Sequence, residues 1–384
     1  MSNNERVLAA TPVITMTDDT TARFTLQNGQ PVKYITLSKG QHFAATKSDG
    51  SWSIKVGSGM VTVEDRLVTP SKKKISFASL KNKIELNTNT FAPIYAAHAK
   101  KGKPIATIAK NMRISSNGLK GQFYEVVIGG RTGYIHCNDV SADTGVPVLI
   151  YHHFVKNQAN SVYKDSSSVY DIDLFDQQMN YLQKNGFSTI TLKDLDLWMQ
   201  RKQALPSKAV VLTFDDANLS VEKLVYPILK RNNMVATTFI IGDRVTNNTP
   251  EFNMETVQFA GYAELAGITD IFDLEYHTYG LHVFNSLTGK SGLQYASANA
   301  LKYDFINAKE VLLKADPTAV PSYFAYPYGK YIKANEAVLI QSGISLAFLN
   351  KGGKAEISSP RLYIPRIPVQ GHMTVKQFAK AIRN

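Results

Sequence analysis

Two acids end an apolar run in Val210-Val-Leu-Thr-Phe-Asp215-Asp216, where the side chains of a buried strand leave a sheet for its mouth. Consecutive residues of an extended chain point to opposite sides, so one carboxylate can face a cation while its neighbour handles a proton. Two such acids repel unless a cation or a proton lies between them, although Asp-Asp is also an ordinary strand-ending turn. The second cluster is Asp273-Leu-Glu-Tyr-His277-Thr-Tyr-Gly-Leu-His282. A five-residue step on an α-helix rotates the second side chain by about 140°, so a helical pair would diverge. A loop carrying Gly280 can bring both imidazoles together. Two neutral imidazoles and one carboxylate suit zinc or a related divalent ion and leave positions open for water and substrate, whereas a lone His pair more often serves the core. Two further strand ends carry usable groups. Pro147-Val-Leu-Ile-Tyr151-His152-His153-Phe delivers histidines, and Tyr323-Phe-Ala-Tyr-Pro327-Tyr328-Gly329 can offer the Tyr328 N–H to an oxyanion. Either can equally be plain core strand and turn.

The elements that must position these groups alternate in type. Val146 to Tyr151, Ala209 to Phe214 and Ala236 to Ile241 read as buried strands. Between and after them come helical spacings through Leu174, Phe175, Met179 and Leu182, through Leu224, Ile228 and Leu229, and around Ala308 to Leu313. Such alternation predicts an α/β fold, a parallel sheet wrapped by helices as an open or closed barrel, with chemistry at the C-terminal ends of the strands. From Arg6 to Val140 no helical stripe occurs, and short alternating strands broken by Gly, Asn, Asp and Ser predict small all-β units. Gly50-Ser-Trp-Ser-Ile-Lys-Val-Gly-Ser-Gly-Met-Val and Gly121-Gln-Phe-Tyr-Glu-Val-Val-Ile-Gly-Gly-Arg-Thr-Gly-Tyr-Ile share one pattern, an aromatic-led strand, a Gly-rich turn and a return strand. Their spacing of about seventy residues suits small barrels better than a solenoid. The expected domains are therefore 1–74, 75–144 and 145–384.

Composition narrows the surroundings. The 384 residues exceed one ordinary core, and the hydrophobic fraction of 44% is that of a globular protein. No apolar run approaches the ~20 residues of a membrane span. The start, Met-Ser-Asn-Asn-Glu, has neither the basic nor the apolar part of a secretory signal. A single cysteine, Cys137, excludes an internal disulfide and a multi-thiolate zinc site. The net charge of +12 favours polyanionic surroundings such as nucleic acid, anionic lipid or an acidic cell wall. No nucleic-acid motif accompanies it, and the longest basic run, Lys72 to Lys74, sits at an expected linker.

Taken in order, the four chemical motifs resemble the NodB-homology polysaccharide deacetylases, carbohydrate esterase family four. The likeness covers about Val146 to Asn384 and is greatest to the branch of biofilm poly-N-acetylglucosamine deacetylases, whose domain also begins with a Val-Leu-x-Tyr-His strand. Upstream, Arg131-Thr-Gly-Tyr-Ile-His followed by Asn138-Asp-Val resembles a bacterial SH3-like domain, with a more divergent copy before it. The resemblance implies a distorted (β/α) barrel of the NodB type preceded by two SH3-like barrels. It implies Asp215 as general base, Asp216, His277 and His282 as metal ligands, and His152 as general acid. Tyr328 would serve the oxyanion, and zinc is the first metal, with cobalt, nickel or iron as alternatives. The implied reaction releases acetate from N-acetylglucosamine units of peptidoglycan or poly-N-acetylglucosamine, outside the cell or at its wall. SH3-like domains would bind wall peptide; no nucleic acid and no membrane span are implied. Some residues depart from the family pattern. Ala217 replaces the usual Gly, so the turn is expected to avoid positive φ. The Arg usual before the Tyr-Pro-Tyr motif is missing, and Arg366 is a candidate replacement. Glu275 adds a stray charge near the metal, and His372 is a weaker candidate acid than His152. Two rival readings stand beside the deacetylase: a wall-binding protein whose enzyme fold has lost activity, and a hydrolase of O-acetyl esters.

Overall fold

The computed structural model describes residues 11–81, 84–100 and 102–383. The starting Met-Ser-Asn-Asn-Glu, Arg6 and Asn384 lie outside them. The chain packs as two compact units. One gathers the described residues up to Thr144 with Lys193–Lys208; the other gathers Gly145–Leu192 and the described residues from Ala209 onward.

In the first unit the two expected hairpins form. Ser51–Val56 returns as Gly59–Glu64, and Phe123–Ile128 returns as Arg131–His136. Their turns need left-handed backbone, supplied by Gly57 (φ 58°) in the first and by Gly129 and Gly130 (φ 50° and 74°) in the second. Each hairpin runs into a single 3-10 turn, Asp65–Leu67 or Cys137–Asp139, and then a short strand. Trp52 ties the first of these turns down by donating to Asp65 at 2.6 Å. The hairpin strands join a twelve-stranded antiparallel sheet that crosses residue 74 without a break, because Ala106–Ile108 pairs with Pro31–Leu37, Ile108 opposite Ile35, while Val68–Ser71 pairs with Val13–Met16 in a separate three-stranded sheet. Residues 193–208, which sequence reasoning leaves inside the last domain, pack here. The Arg113 N–H donates to Leu205 O at 3.0 Å, Asp194 accepts the Gln27 N–H at 3.0 Å, and Trp198 is fully buried.

The second unit is α/β, built on half of a barrel. Its parallel strands are β1 (Val148–Tyr151), β2 (Ser188–Thr189), β3 (Ala209–Asp215), β4 (Ala236–Ile240), β5 (Phe272–Tyr276), β6 (Tyr323–Ala325), β7 (Leu346–Phe348) and β8 (Ile367–Pro368). They run in the order β7-β6-β5-β4-β3-β1-β8, with β2 against the start of β3, and the path stays open at β7 and β8. All seven residues of β3 are buried, as a strand covered on both faces requires. One apolar cluster packs around Tyr151, Phe175 and Phe214, the other around Phe305, Phe324 and Tyr326. Helix α1 (Ile172–Lys184) supplies Ile172, Phe175, Met179 and Leu182 to the first cluster, and the Asp171 carboxylate caps its Asp173 and Leu174 N–H groups. Helix α2 (Ala298–Ala315) supplies Leu301, Phe305, Ala308 and Leu312 to the second. In register, Phe214 lies beside Thr238, Thr238 beside Leu274, and Tyr276 beside Phe324, so the chemical motifs end on one edge of the sheet.

Candidate active site

Asp215 is the last residue of β3, and the chain turns sharply after it. Asp216 and Ala217 both take left-handed backbone, φ 76° and 57°. Ala217 thus adopts the conformation it was expected to avoid, at a cost of roughly 1–2 kcal/mol. Hydrogen bonds overdetermine the turn: Asn218 Nδ2 donates to Asp215 O at 3.3 Å and Ala260 N to Ala217 O at 2.9 Å. Because residue 216 is not extended, the two carboxylates do not diverge as alternation implies. Both reach one imidazole, His277 Nε2 being 3.5 Å from Asp216 Oδ1 and 3.9 Å from Asp215 Oδ2.

Arg366, fully buried just before β8, reaches Asp215 from outside the aromatic motif. Its two terminal nitrogens donate to Asp215 Oδ1 and Oδ2, both at 2.7 Å, in a bidentate pair. Two further N–H groups go to Leu349 O at 3.1 Å and Thr213 Oγ1 at 3.2 Å, which fixes the guanidinium plane. Burial alone would raise the Asp215 pKa, but Arg366, followed by His277, holds it below the ordinary carboxylate range.

His277 Nδ1 donates to Ala325 O at 2.8 Å, which leaves the Nε2 lone pair facing the acids. His282 Nε2 stands 3.4 Å from Asp216 Oδ1, and the two imidazole rings are 4.7 Å apart. Desolvation, then the neighbouring His277, push the His282 pKa down to about 4, against the pull of Asp216. The loop between the histidines is held by Asp304 of α2, which accepts the Tyr279 and Gly280 N–H groups, each at 2.8 Å. Sequence reasoning missed Asp304. Its signal was an acid at the inward spacing of an apolar helix, between Leu301 and Ala308.

One oxygen is unanswered. Asp216 Oδ1 is buried with no hydrogen-bond partner, although the Asp216 pKa is drawn well down: burial opposes ionisation and His277 and His152 favour it. Single ligand atoms of Asp216, His277 and His282 all lie within 4.8 Å of one another. A buried carboxylate oxygen 3.5 and 3.4 Å from two imidazole nitrogens, with a hydrogen bond to neither, is a poor arrangement for the protein alone and a good one around a divalent cation. The residues present therefore fit such an ion.

The other expected residues divide. His152, half-buried just past β1, has Nδ1 3.5 Å from the Tyr170 hydroxyl, and its charge acts on both Asp215 and Asp216. His153 is buried and structural, with Nε2 2.8 Å from Met254 O and Nδ1 3.1 Å from Ser220 Oγ. Tyr328 adopts φ 56° and lays its ring 4.6 Å from that of His282. Glu275 is not the stray charge expected near a metal. It accepts the Ser322 and Tyr323 N–H groups at 2.8 Å each at the start of β6, and burial pushes its pKa well up, towards the neutral acid. His372 is exposed.

Comparison with known proteins gives this geometry a setting. Residues 202–347 match the family described as polysaccharide deacetylase. A poly-beta-1,6-N-acetyl-D-glucosamine N-deacetylase of Staphylococcus aureus is 30% identical over 195 residues, 50% of this chain and 65% of that protein. The match thus spans just under two thirds of the curated relative. The structure of IcaB from Ammonifex degensii is similar at TM-score 0.53 and 25% identity, over 63% of this chain and 98% of that one. A polysaccharide deacetylase of Bacillus cereus shares the fold at TM-score 0.51 and 18% identity over 88% of this chain and 98% of its own. A likeness of that extent reaches into the first unit.

Proposed function

This chain carries a polysaccharide deacetylase domain, and from that premise we propose that it removes N-acetyl groups from an N-acetylglucosamine polymer with the help of a divalent ion. The observation that carries the reading is the pairing of a clamped base with an open ligand set. Asp215 is held ionised by Arg366, and beside it Asp216 Oδ1 waits unpartnered between His277 and His282. An ion on Asp216, His277 and His282 would supply Lewis acidity to the acetyl carbonyl and to the attacking water. Asp215 takes the proton from that water through a lone pair that Arg366 leaves free on Oδ2, the oxygen nearer His277. The Tyr328 N–H serves the oxyanion. His152 returns a proton to the departing nitrogen, which an amide needs because its anion is a very poor leaving group.

Zinc is the first candidate metal, and cobalt, nickel or iron would accept the same donors. The Staphylococcus relative supports poly-N-acetylglucosamine as substrate over peptidoglycan. The two hairpins with their 3-10 turns support reading the first unit as SH3-like barrels of 1–74 and 75–144, which would bind wall peptide and keep the enzyme outside the cell, at its wall. The rival, an inactive wall-binding protein, draws no support from the site, where single atoms of Asp216, His277 and His282 lie within 4.8 Å of one another and Arg366 grips Asp215. Asp215→Asn is expected to lower acetate release from N-acetylglucosamine oligomers by about 10²–10⁴-fold with metal present. Near-normal release would remove Asp215 from its role.

A further inference from the structure

The charge of the chain is lopsided. Residues 1–144 hold 19 of the 43 Lys and Arg but only 10 of the 31 Asp and Glu, so nine of the twelve excess positive charges lie there. Strand register shows where some of them gather. Lys33 lies opposite Arg23, Arg23 opposite Thr62, Thr62 opposite Ser53 and Ser53 opposite Thr46, which places the five on one face, across five neighbouring strands. At 4.7–4.9 Å per strand the row is about 19 Å long. Its face is the solvent side, because the alternate residues Ala22, Phe24, Val32, Val61 and Ile54 are buried. Lys55, opposite Met60, lies on the same face, and with Thr46 and Ser53 it borders a cavity of about 630 Å³ at the end of the row.

Two features of this face point to a ligand. Arg23, Lys33 and Lys55 are exposed and make no ion pair among the described residues, while the acid on the same face, Glu64, is taken by Arg66. Arg23 and Lys33 are also directly opposed, and like charges in that position destabilise a sheet unless an anion spans them. We infer that this face binds a phosphodiester-linked polyol or sugar polymer. A phosphodiester stays ionised and offers two oxygens, one to the Arg fork and one to the ammonium, while the Thr and Ser hydroxyls suit the polyol between phosphates. The row has no aromatic ring on which bases would stack. Met60 is the one large apolar side chain exposed on this face, with Phe77 at the cavity beyond the row, too little to wedge into lipid.

The test titrates the full chain with poly(glycerol phosphate) at about 50 and 200 mM salt. Binding is expected, weakening steeply as salt rises. Replacing both cations, Arg23→Gln with Lys33→Gln, is expected to weaken it about tenfold or more, whereas Lys302→Gln with Lys309→Gln on the other unit changes it less than about twofold. The first pair should also leave the melting temperature level or raised, since it relieves like-charge repulsion, so lost binding is not lost folding. Equal loss from both pairs would reduce the effect to overall charge and overturn the inference. So would absent binding at low salt, or tighter binding to anionic lipid vesicles or duplex DNA than to the polymer.

Discussion

Each unit buries an arginine against a carboxylate, and the two pairs end differently. In the β unit Arg113 donates to Asp143 at 3.1 Å and to Pro206 O, and faces the Trp198 ring at 5.5 Å. Asp143 also accepts Asn87 Nδ2 at 2.9 Å, and nearby Glu85 accepts the Ser115 hydroxyl and Arg201 at 3.1 Å. No oxygen of Asp143 or Glu85 is left buried without a partner; the orphans there are the neutral Asn87 Oδ1 and Trp198 Nε1. In the parallel-sheet unit Arg366 answers Asp215 as fully, yet the adjacent Asp216 keeps a bare oxygen between two imidazoles. Buried charge alone therefore does not mark a site. What marks it is a carboxylate oxygen left without a hydrogen bond between two imidazoles; Glu222 Oε2, the other buried carboxylate oxygen without a hydrogen bond among the described residues, is ion-paired to Lys223 at 2.9 Å.

The strongest way to break this comparison is to remove each arginine. Arg366→Met and Arg113→Met should each cost about 3–5 kcal/mol in urea unfolding, because both strand a buried carboxylate. If the proposed roles are right, only Arg366→Met should also disturb acetate release beyond what unfolding explains. Arg366→Lys would keep the charge but lose the two-pronged grip, and is expected to recover stability more than activity. Equal loss of activity from Arg113→Met, measured on the folded fraction, would make the two pairs alike.

A gentler probe is Asp304, which touches none of the reacting groups. Asp304→Asn keeps the shape but offers one acceptor oxygen to two loop N–H groups. It is expected to weaken zinc binding by the metal-free protein about 10–100-fold in calorimetry, with a smaller change in unfolding free energy. An unchanged affinity would show that the His277–His282 loop holds its form without α2.

What could be read from sequence follows from which contacts are local. The buried run Val210 to Phe214, the following acids and the Gly-marked hairpins carry their own periodicity and turn chemistry, and all of them appear where expected. The left-handed Ala217 does not, because its conformation is imposed by Ala260 and Asn218, which no local pattern connects to it. Arg366 could be suspected only from the gap in the aromatic motif, since it stands 151 positions from its partner. The continuity of the β sheet past residue 74, and the capture of 193–208 by Arg113 and Gln27, are likewise non-local pairings. A helix reading of Leu192–Met199 says nothing of which unit buries Trp198.

The smallest effect separates the two carboxylate settings by sign. Asp215 has its pKa lowered in the fold: burial opposes this, and Arg366 outweighs it. Its contribution to stability is present above the ordinary carboxylate pKa and is lost as pH falls through the lowered one. Glu85 is raised, because burial outweighs the Ser115 hydrogen bond and Arg201. Its contribution is full below the ordinary pKa and is lost as pH rises through the raised one. Both tryptophans, Trp52 and Trp198, lie in the β unit, so their fluorescence follows the unfolding of that unit. Monitored this way in urea, Glu85 should lower the stability of the β unit as pH rises through the carboxylate range, by no more than about 1.4 kcal/mol per pH unit, against the opposite slope of Asp65 and Glu125, whose pKa values are lowered by hydrogen bonds from Trp52 and Lys120. Glu85→Gln should remove that falling part, so that the variant's stability rises more steeply with pH than the parent's even if it is lower overall. Equal slopes in parent and variant would clear Glu85 of the effect, and a shallower rise in the variant would mean that Arg201 and Ser115 outweigh burial at Glu85, making the β-unit pair a second copy of the Asp215 arrangement in its electrostatics.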